Sequence, residues 1–529
     1  MRQEDKLVFG ALKKNCHCEP VRTLVWQSPD NSGRFVRAFV RFLQIPEYPG
    51  DCHDQCAHWS RNDSIFFKHQ FPNPLHNPFP IYIRSDSMNS LRVGAARVCI
   101  DPPASEYPFP SNFGMCDESR NPCHVRAIAI ESGEKKVLFV IYELSDIPGI
   151  PDLEERLASV WGIGREDVIL CVTHNHSSPC DRSKFPCDEG KFALFKEIEL
   201  NAGLEAVSKA VASLRPAKWG YGEIESLCNV NRDLKTRFGF WVEGPNYSGY
   251  SNHTLACLKF VDQEDRIIAA LLNFGAHAVC AFVQKDTDGK VKSSSNFPGI
   301  ACRFVEDYYG GDCVAAWTSG AAGNQDPLLF DYQWLEYPDG YVTKISLPDG
   351  SGYVHMDILG SRQGADAVTC LDSIRADRAE MPITYLRSTV PIPAQMRDPS
   401  FKMPPFGLRM GGVGPRTDFS PPKFPEFPKM LPAHTTIDYT LNLLMLDDLA
   451  VLLTSGELYA EIARDMMAAV PVKDSFVITH IPGKGGYTLD RGSADHKTFQ
   501  SFGGVRAGDA DEPLCRRSAE LVSQALAQR

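Results

Sequence analysis

Four points along the chain share one local setting: an apolar run stops, a short polar turn follows, and a metal-compatible or reactive residue sits there. They are His174 and His176 in VILCVTHNHSSP, His277 in ALLNFGAH, Asp326 in WTSGAAGNQDP and Glu457 in VLLTSGE. In open α/β sheets, sites form outside the carboxyl ends of strands, so these ends can converge. Residues two apart in extended backbone point to the same side. His174 and His176 would then face one site, either both on a metal or one on it and one beside it; two ordinary loop histidines is the plainer reading. His277 alone reads as a polar loop residue. Glu457 alone reads as a carboxylate in the first turn of the following helix, favoured by the helix dipole. Gly320 and Gly323 permit a tight turn whose exposed N–H groups can hold an oxyanion, against the plainer reading of a glycine-rich loop. Two histidines and a carboxylate open to water are the usual makings of a catalytic zinc site, in which the ion lowers the pKa of a bound water to about 7. Imidazole and carboxylate ligands also suit other divalent ions.

The elements that must position these residues alternate. KKVLFVIYEL, DVILCVT, RIIAALLNFGA, CVAAWTS and LAVLLTS read as strands. DLEERLASVWGI, LFKEIELNAGLEAVSKAVASL, IACRFVEDYYG, MDILGSRQGADAVTCLDSI, ELYAEIARDMMAAV and EPLCRRSAELVSQALAQ read as helices. This predicts an α/β fold of mixed α+β layers. No internal repeat stands out. Residues 391–432, rich in Pro, Phe and Met, are expected to hold no regular ladder or helix. They read as a long surface connection or as a loop walling an apolar pocket.

Residues 1–87 look different. They hold five of the fourteen histidines and four cysteines, with little periodicity beyond RFVRAFVRFL. They read as a poorly patterned N-terminal extension before a domain over 88–529, with a small extra subdomain as the alternative. Cys16, Cys18, Cys52 and Cys56 match zinc-knuckle spacings poorly.

With 43% hydrophobic and 23% charged residues, the composition is that of a globular protein. A formal net charge of -11 and the lack of a long basic run argue against nucleic acid or an anionic membrane as the main partner. No stretch is apolar for long enough to span a bilayer, and the first residues lack the apolar core of a signal peptide. A cytoplasmic location is the expectation, and with it the seventeen scattered cysteines are read as thiols.

The residues also carry a family likeness. THNHSSP resembles the THTHSGP motif of the neutral (non-lysosomal) ceramidases. The likeness continues in chain order through LRVGAARVCIDPP, NPCHVRAIAI with Arg126, NVNRD with Arg232, NFGAHAV, SNFPGIACRFVE, TSGAAGNQDP, LLTSGELYAEIA and GGYTLDRGSADHKTFQSFGG. It runs from about residue 90 to the end. The resemblance implies a ceramidase-like zinc hydrolase domain with Zn2+ held by His174, His277, Glu457 and Tyr487. It implies His176 as a nearby hydrogen-bond donor or proton handler, and Arg232 as a contact to substrate or developing charge. The implied chemistry is hydrolysis of an amide by metal-activated water. Where the ceramidases have serine before proline, this chain has Asp326, which can act as a base but cannot donate a hydrogen bond when ionised. The family's secretion signal and C-terminal immunoglobulin-like domain are not matched. The expected substrate is therefore a small or lipid-like N-acyl amide. An ester or lactam hydrolase, or an inactive binding protein on the same fold, are the alternatives.

Overall fold

The computed structural model describes residues 25–29 and 35–39 and, from 91 to 529, all but 184–186, 238, 240, 283, 330, 339–341, 397–434, 497, 503–504 and 508. The chain divides into two compact units, Met1–Tyr82 and Ile83–Arg529. In the first, Val25–Pro29 and Phe35–Phe39 pair antiparallel; the second of these strands falls in RFVRAFVRFL. The four cysteines of that extension lie outside the described residues.

The second unit is built from one pattern used three times. A strand pairs with an antiparallel hairpin; a helix then crosses to a strand parallel to the hairpin's second arm, and another helix follows. The first round is Leu91–Cys99, His124–Ser132, Lys135–Tyr142, helix Leu153–Trp161, Val168–Val172 and helix Glu189–Ala212. The second is Lys218–Glu225, Thr254–Val261, Ile267–Phe274, helix Asn296–Tyr309, Val314–Ser319 and helix Ser351–Ser373. The third is Ile383–Leu386, Thr435–Leu446, Leu449–Thr454, helix Ala460–Ala469, Asp474–Ile478 and helix Asp511–Ala527. The sequence reading found no repeat. Repeating this pattern needs only the same order of apolar periodicities, not the same residues.

Packing explains the continuous apolar runs. One face of each sheet joins a shared core: Ile169 and Cys171 from the first, Leu258 and Leu271 from the second, Val451 and Leu453 from the third. The opposite faces pack under the helices. Leu170 and Val172 meet Leu157 and Val207; Leu272 and Trp317 meet Phe297 and Leu371; Leu452 meets Ile462 and Leu521. Strands covered on both faces lose the polar alternation of a half-exposed sheet. Truncating such a side chain to alanine costs about 2–5 kcal/mol.

Two expectations are corrected. Residues 391–396 do hold a ladder: Thr389–Met396 is a strand paired with Thr435–Leu446 and, at its end, with Val505–Ala507. Pro391 and Pro393 share one parity and lie before the stretch that Val505–Ala507 pairs, so that ladder needs no N–H from either. Residues 397–432 lie outside the described residues. Glu457 does not open the helix; it lies in the two-residue strand Glu457–Leu458, and the helix starts at Ala460. Among the described residues all the cysteines are free thiols, and Cys171, Cys257 and Cys280 are buried. No described helix is long and apolar enough to cross a membrane.

Candidate metal centre

Strand ends from all three rounds meet in one place. His174 follows Val168–Val172 by one residue, with φ 55°. A left-handed histidine costs of order 1–3 kcal/mol and persists where the surroundings over-determine it. The turn, rather than strand alternation, brings His174 and His176 together, and their Nε2 atoms lie 3.1 Å apart. His277, beyond Ile267–Phe274, has its Nε2 2.9 Å from Glu457 Oε2. His174 Nε2 is 3.5 Å from the same oxygen. Donor atoms of His174, His176 and His277 all lie within 4.8 Å of one another.

The outer ring nitrogens show what the inner ones are for. His174 Nδ1 is 2.9 Å from the Ser145 carbonyl, and His277 Nδ1 is 3.2 Å from the Gln325 carbonyl. A histidine whose Nδ1–H is given to a backbone carbonyl presents Nε2 as a lone pair, the usual arrangement of metal-ligating histidines. The donor set thus fits zinc. Burial and the Arg232 guanidinium push His277 down to about 4. Burial and the neighbouring histidines hold His176 and His480 well below the ordinary value, so all three rings are neutral. For His174 burial is outweighed by Glu457, which raises it. For Glu457 burial is likewise outweighed by His174 and His277, which hold the carboxyl well below its usual range. The pocket therefore favours a positive charge between these groups.

Tyr487 lies beside Glu457 in the parallel pair Glu457–Leu458 and Tyr487–Thr488. Arg232 Nη2 donates to the Tyr487 hydroxyl at 3.2 Å and to the Gly323 carbonyl at 2.7 Å, while Nη1 donates to Asp326 Oδ1 at 3.1 Å. The cavity in front of the cluster has a volume of about 490 Å³, and its wall includes His174, His176, Glu457 and Tyr487. Arg232 and Asp326 are not on that wall; they are fully buried behind it. Gly320 and Gly323 are no oxyanion hole. Their N–H groups go to the Phe274 and Leu458 carbonyls at 2.9 and 2.8 Å. They are glycines because the chain passes too closely for a side chain: a Cβ at Gly323 would sit 2.7 Å from the Glu457 carbonyl oxygen.

Several residues of the site were not singled out in the sequence. His480 stacks on His174 with ring centres 4.1 Å apart, and it too is left-handed, at φ 60°. It follows the strand Asp474–Ile478 by one residue, as His174 follows its own strand, so the strand-end rule applied once more would have found it. Ser145 and Asp146 likewise follow the strand Lys135–Tyr142. Phe113, on the cavity wall, stacks on His176 at 5.3 Å and is backed by Phe282, which it meets edge-on at 4.3 Å, giving the cavity an apolar side. No periodicity marks these two, because a hairpin tip and a loop supply them.

No family model matches the chain, and no curated protein matches it in sequence. Two solved structures do match in three dimensions. One is the neutral ceramidase from Pseudomonas aeruginosa, with TM-score 0.56, 17% identity, and 83% of this chain and 74% of that one covered. The other is a ceramidase complexed with C2, with TM-score 0.57, 18% identity, and 83% and 75% covered. The fold is ceramidase-like. At this identity the match speaks for the arrangement of the chain, and the donor geometry above speaks for the chemistry.

Proposed function

We propose that the protein is a zinc-dependent hydrolase that cleaves the amide bond of a small or lipid-like N-acyl substrate. One observation carries the reading. The imidazoles of His174, His176 and His277 and the Glu457 carboxylate converge on a cavity in a ceramidase-like fold, two of the rings with Nδ1 on a backbone carbonyl. His174, His277 and Glu457 would hold the ion, with the Tyr487 hydroxyl beside them. Zinc, when bound, supplies a Lewis acid that acidifies a coordinated water to a pKa of about 7 and polarises a carbonyl.

The chain's own residues do the rest. His176, a neutral imidazole against Phe113, accepts a proton from the attacking water and returns it to the departing nitrogen. Arg232 holds the Tyr487 hydroxyl, and Asp326 holds Arg232. Phe113, backed by Phe282, offers the acyl group an apolar wall.

Elemental mass spectrometry of the purified protein tests this. About one zinc per chain is expected, lost in His277→Ala. His176→Ala should keep the metal and lose most activity on N-acyl amides, whereas Tyr487→Phe should weaken metal retention. The reverse result would make His176 the ligand and Tyr487 the auxiliary group. Turnover of esters or lactams but not amides would reassign the bond. A metal-free protein that stays inert with added zinc would make it a binding protein.

A further inference from the structure

Beside the cavity lies a small recess that the proposed chemistry leaves unused. It shares Asn112, Ser145, Asp146 and Arg182 with the cavity wall and is closed by Leu144, Pro179, Cys180, Asp181 and Glu199. Its free volume is about 10 Å³, which is room for one water-sized group.

The charges around it do not cancel. Arg182 Nη1 donates to Asp181 Oδ1 at 3.2 Å and Nη2 to the Ile147 carbonyl at 2.9 Å. Asp181 Oδ2 accepts from the Gly149 N–H at 2.6 Å. That pair is settled internally. Two further carboxyl groups line the recess: Asp146, which also attracts the neighbouring His174, and Glu199. Asp146 is exposed to the cavity, next to the Ser145 carbonyl that fixes His174. Glu199, on the helix Glu189–Ala212, is 1% exposed, and its Oε2 has no hydrogen-bond partner. Burial, reinforced by Asp181, pushes the Glu199 carboxyl well above its usual range, so it is held uncharged until a positive charge sits beside it. A buried polar atom left unpaired costs about 1–3 kcal/mol. A donor entering the recess would satisfy that atom and be held by Asp146. The group that is water-sized, donates hydrogen bonds in several directions and carries positive charge is an ammonium.

We propose that this recess receives an ammonium group on the amine side of the substrate, so that preferred substrates are N-acyl derivatives of short diamines. The inference rests on the amide-hydrolase reading of the cavity. Hydrolysis adds water across the C–N bond and releases a carboxylic acid and the diamine, with no further reactant. Phe113, backed by Phe282, forms the apolar side of the cavity, while Asp146 and Arg182 lie where the recess joins it.

Three amides with one acyl chain test this: N-hexanoyl ethylenediamine (cationic), N-hexanoyl ethanolamine (neutral) and N-hexanoyl glycine (anionic). The cationic amide should exceed the neutral one in kcat/KM by about tenfold, the scale of one charge-assisted hydrogen bond, and the anionic one should be worst. Asp146→Asn should bring the cationic-to-neutral ratio to about one, and Glu199→Gln, which keeps the shape, should lower it in part. Calorimetric binding of the same three amides gives the order without turnover. Equal binding of all three, preference for the glycine conjugate, or a ratio unmoved by Asp146→Asn would overturn the proposal. Selective binding without hydrolysis would instead remove the hydrolase reading and keep the recess. Hydrolysis of the neutral amide with no cationic preference would do the opposite.

Discussion

Two buried charge clusters sit in this protein, and they are built for different ends. The first centres on Arg126 in the strand His124–Ser132. Its guanidinium donates to Glu143 at 2.7 Å, to Glu306 at 2.5 Å and to the Ala315 carbonyl at 2.6 Å, and Arg97 closes on the other Glu306 oxygen. Burial would raise Glu143, but Arg126 holds it at about 2. Opposite charges meet one another there, and Arg126, Glu143 and Glu306 are all buried. The second cluster is the His174–His176–His277–Glu457 group. His176 and His277 are neutral, the outer nitrogens of His174 and His277 are tied to carbonyls, and the inner nitrogens of all three converge beside a cavity. The difference teaches how to separate a structural ion network from a binding centre. In the first, every charge finds its complement within the protein. In the second, the lone pairs converge and a cation is the group that would complete them.

The sharpest way to break this comparison is to remove the hub of the first cluster. Arg126→Met leaves Glu143 buried without its arginine and Glu306 with Arg97 alone. It should cost about 3–5 kcal/mol, read as a lower urea midpoint or as a failure to accumulate folded protein. A loss under about 1 kcal/mol would mean that water reaches the network after all.

The next effect concerns Asp331, which accepts the Phe282 N–H at 3.2 Å and so anchors the apolar side of the cavity. Burial pushes its carboxyl up to about 7. The unfolded chain gives up that proton near pH ~3.9, so the native state loses stability as pH rises from there to the folded value. Asp331→Asn cannot ionise. Calorimetric melting should therefore find the variant gaining on the parent between pH 4 and pH 8, by about 4 kcal/mol. A gap that stays constant with pH would show that Asp331 ionises normally in the fold.

The smallest stability effect is expected at the second cluster. In chelator-treated protein, Glu457→Gln should move the unfolding free energy by less than about 1 kcal/mol, because Glu457 borders a cavity and water can replace its contacts. The same change should abolish zinc retention. A large destabilisation of the metal-free protein would place Glu457 with Arg126, as a structural charge.

Much of this was legible in the sequence. The strands bearing His174, His277 and Glu457 stood out because sheets buried on both faces require unbroken apolar runs, and a polar residue ending such a run marks a strand's carboxyl end. His480 obeys the same rule in FVITH and was passed over because it stands alone, without a second histidine or a family motif. Phe113, Phe282 and Glu199 carried no signal, since a hairpin tip, a loop and a buried helix face look the same with or without a cavity beside them.

By itself, the sequence determined the main alternation of strands and helices and which strand ends bear metal-compatible side chains, for which local periodicity suffices; its likeness to the ceramidases rests on motifs matched in chain order. Only the tertiary structure decided that one strand–helix pattern is used three times around a shared core, that Arg126 neutralises carboxylates while Arg232 holds Tyr487, and that Gly320 and Gly323 spend their N–H groups on the backbone. Those outcomes depend on which groups meet across long separations in the chain, and pairing across such separations leaves no spacing to read.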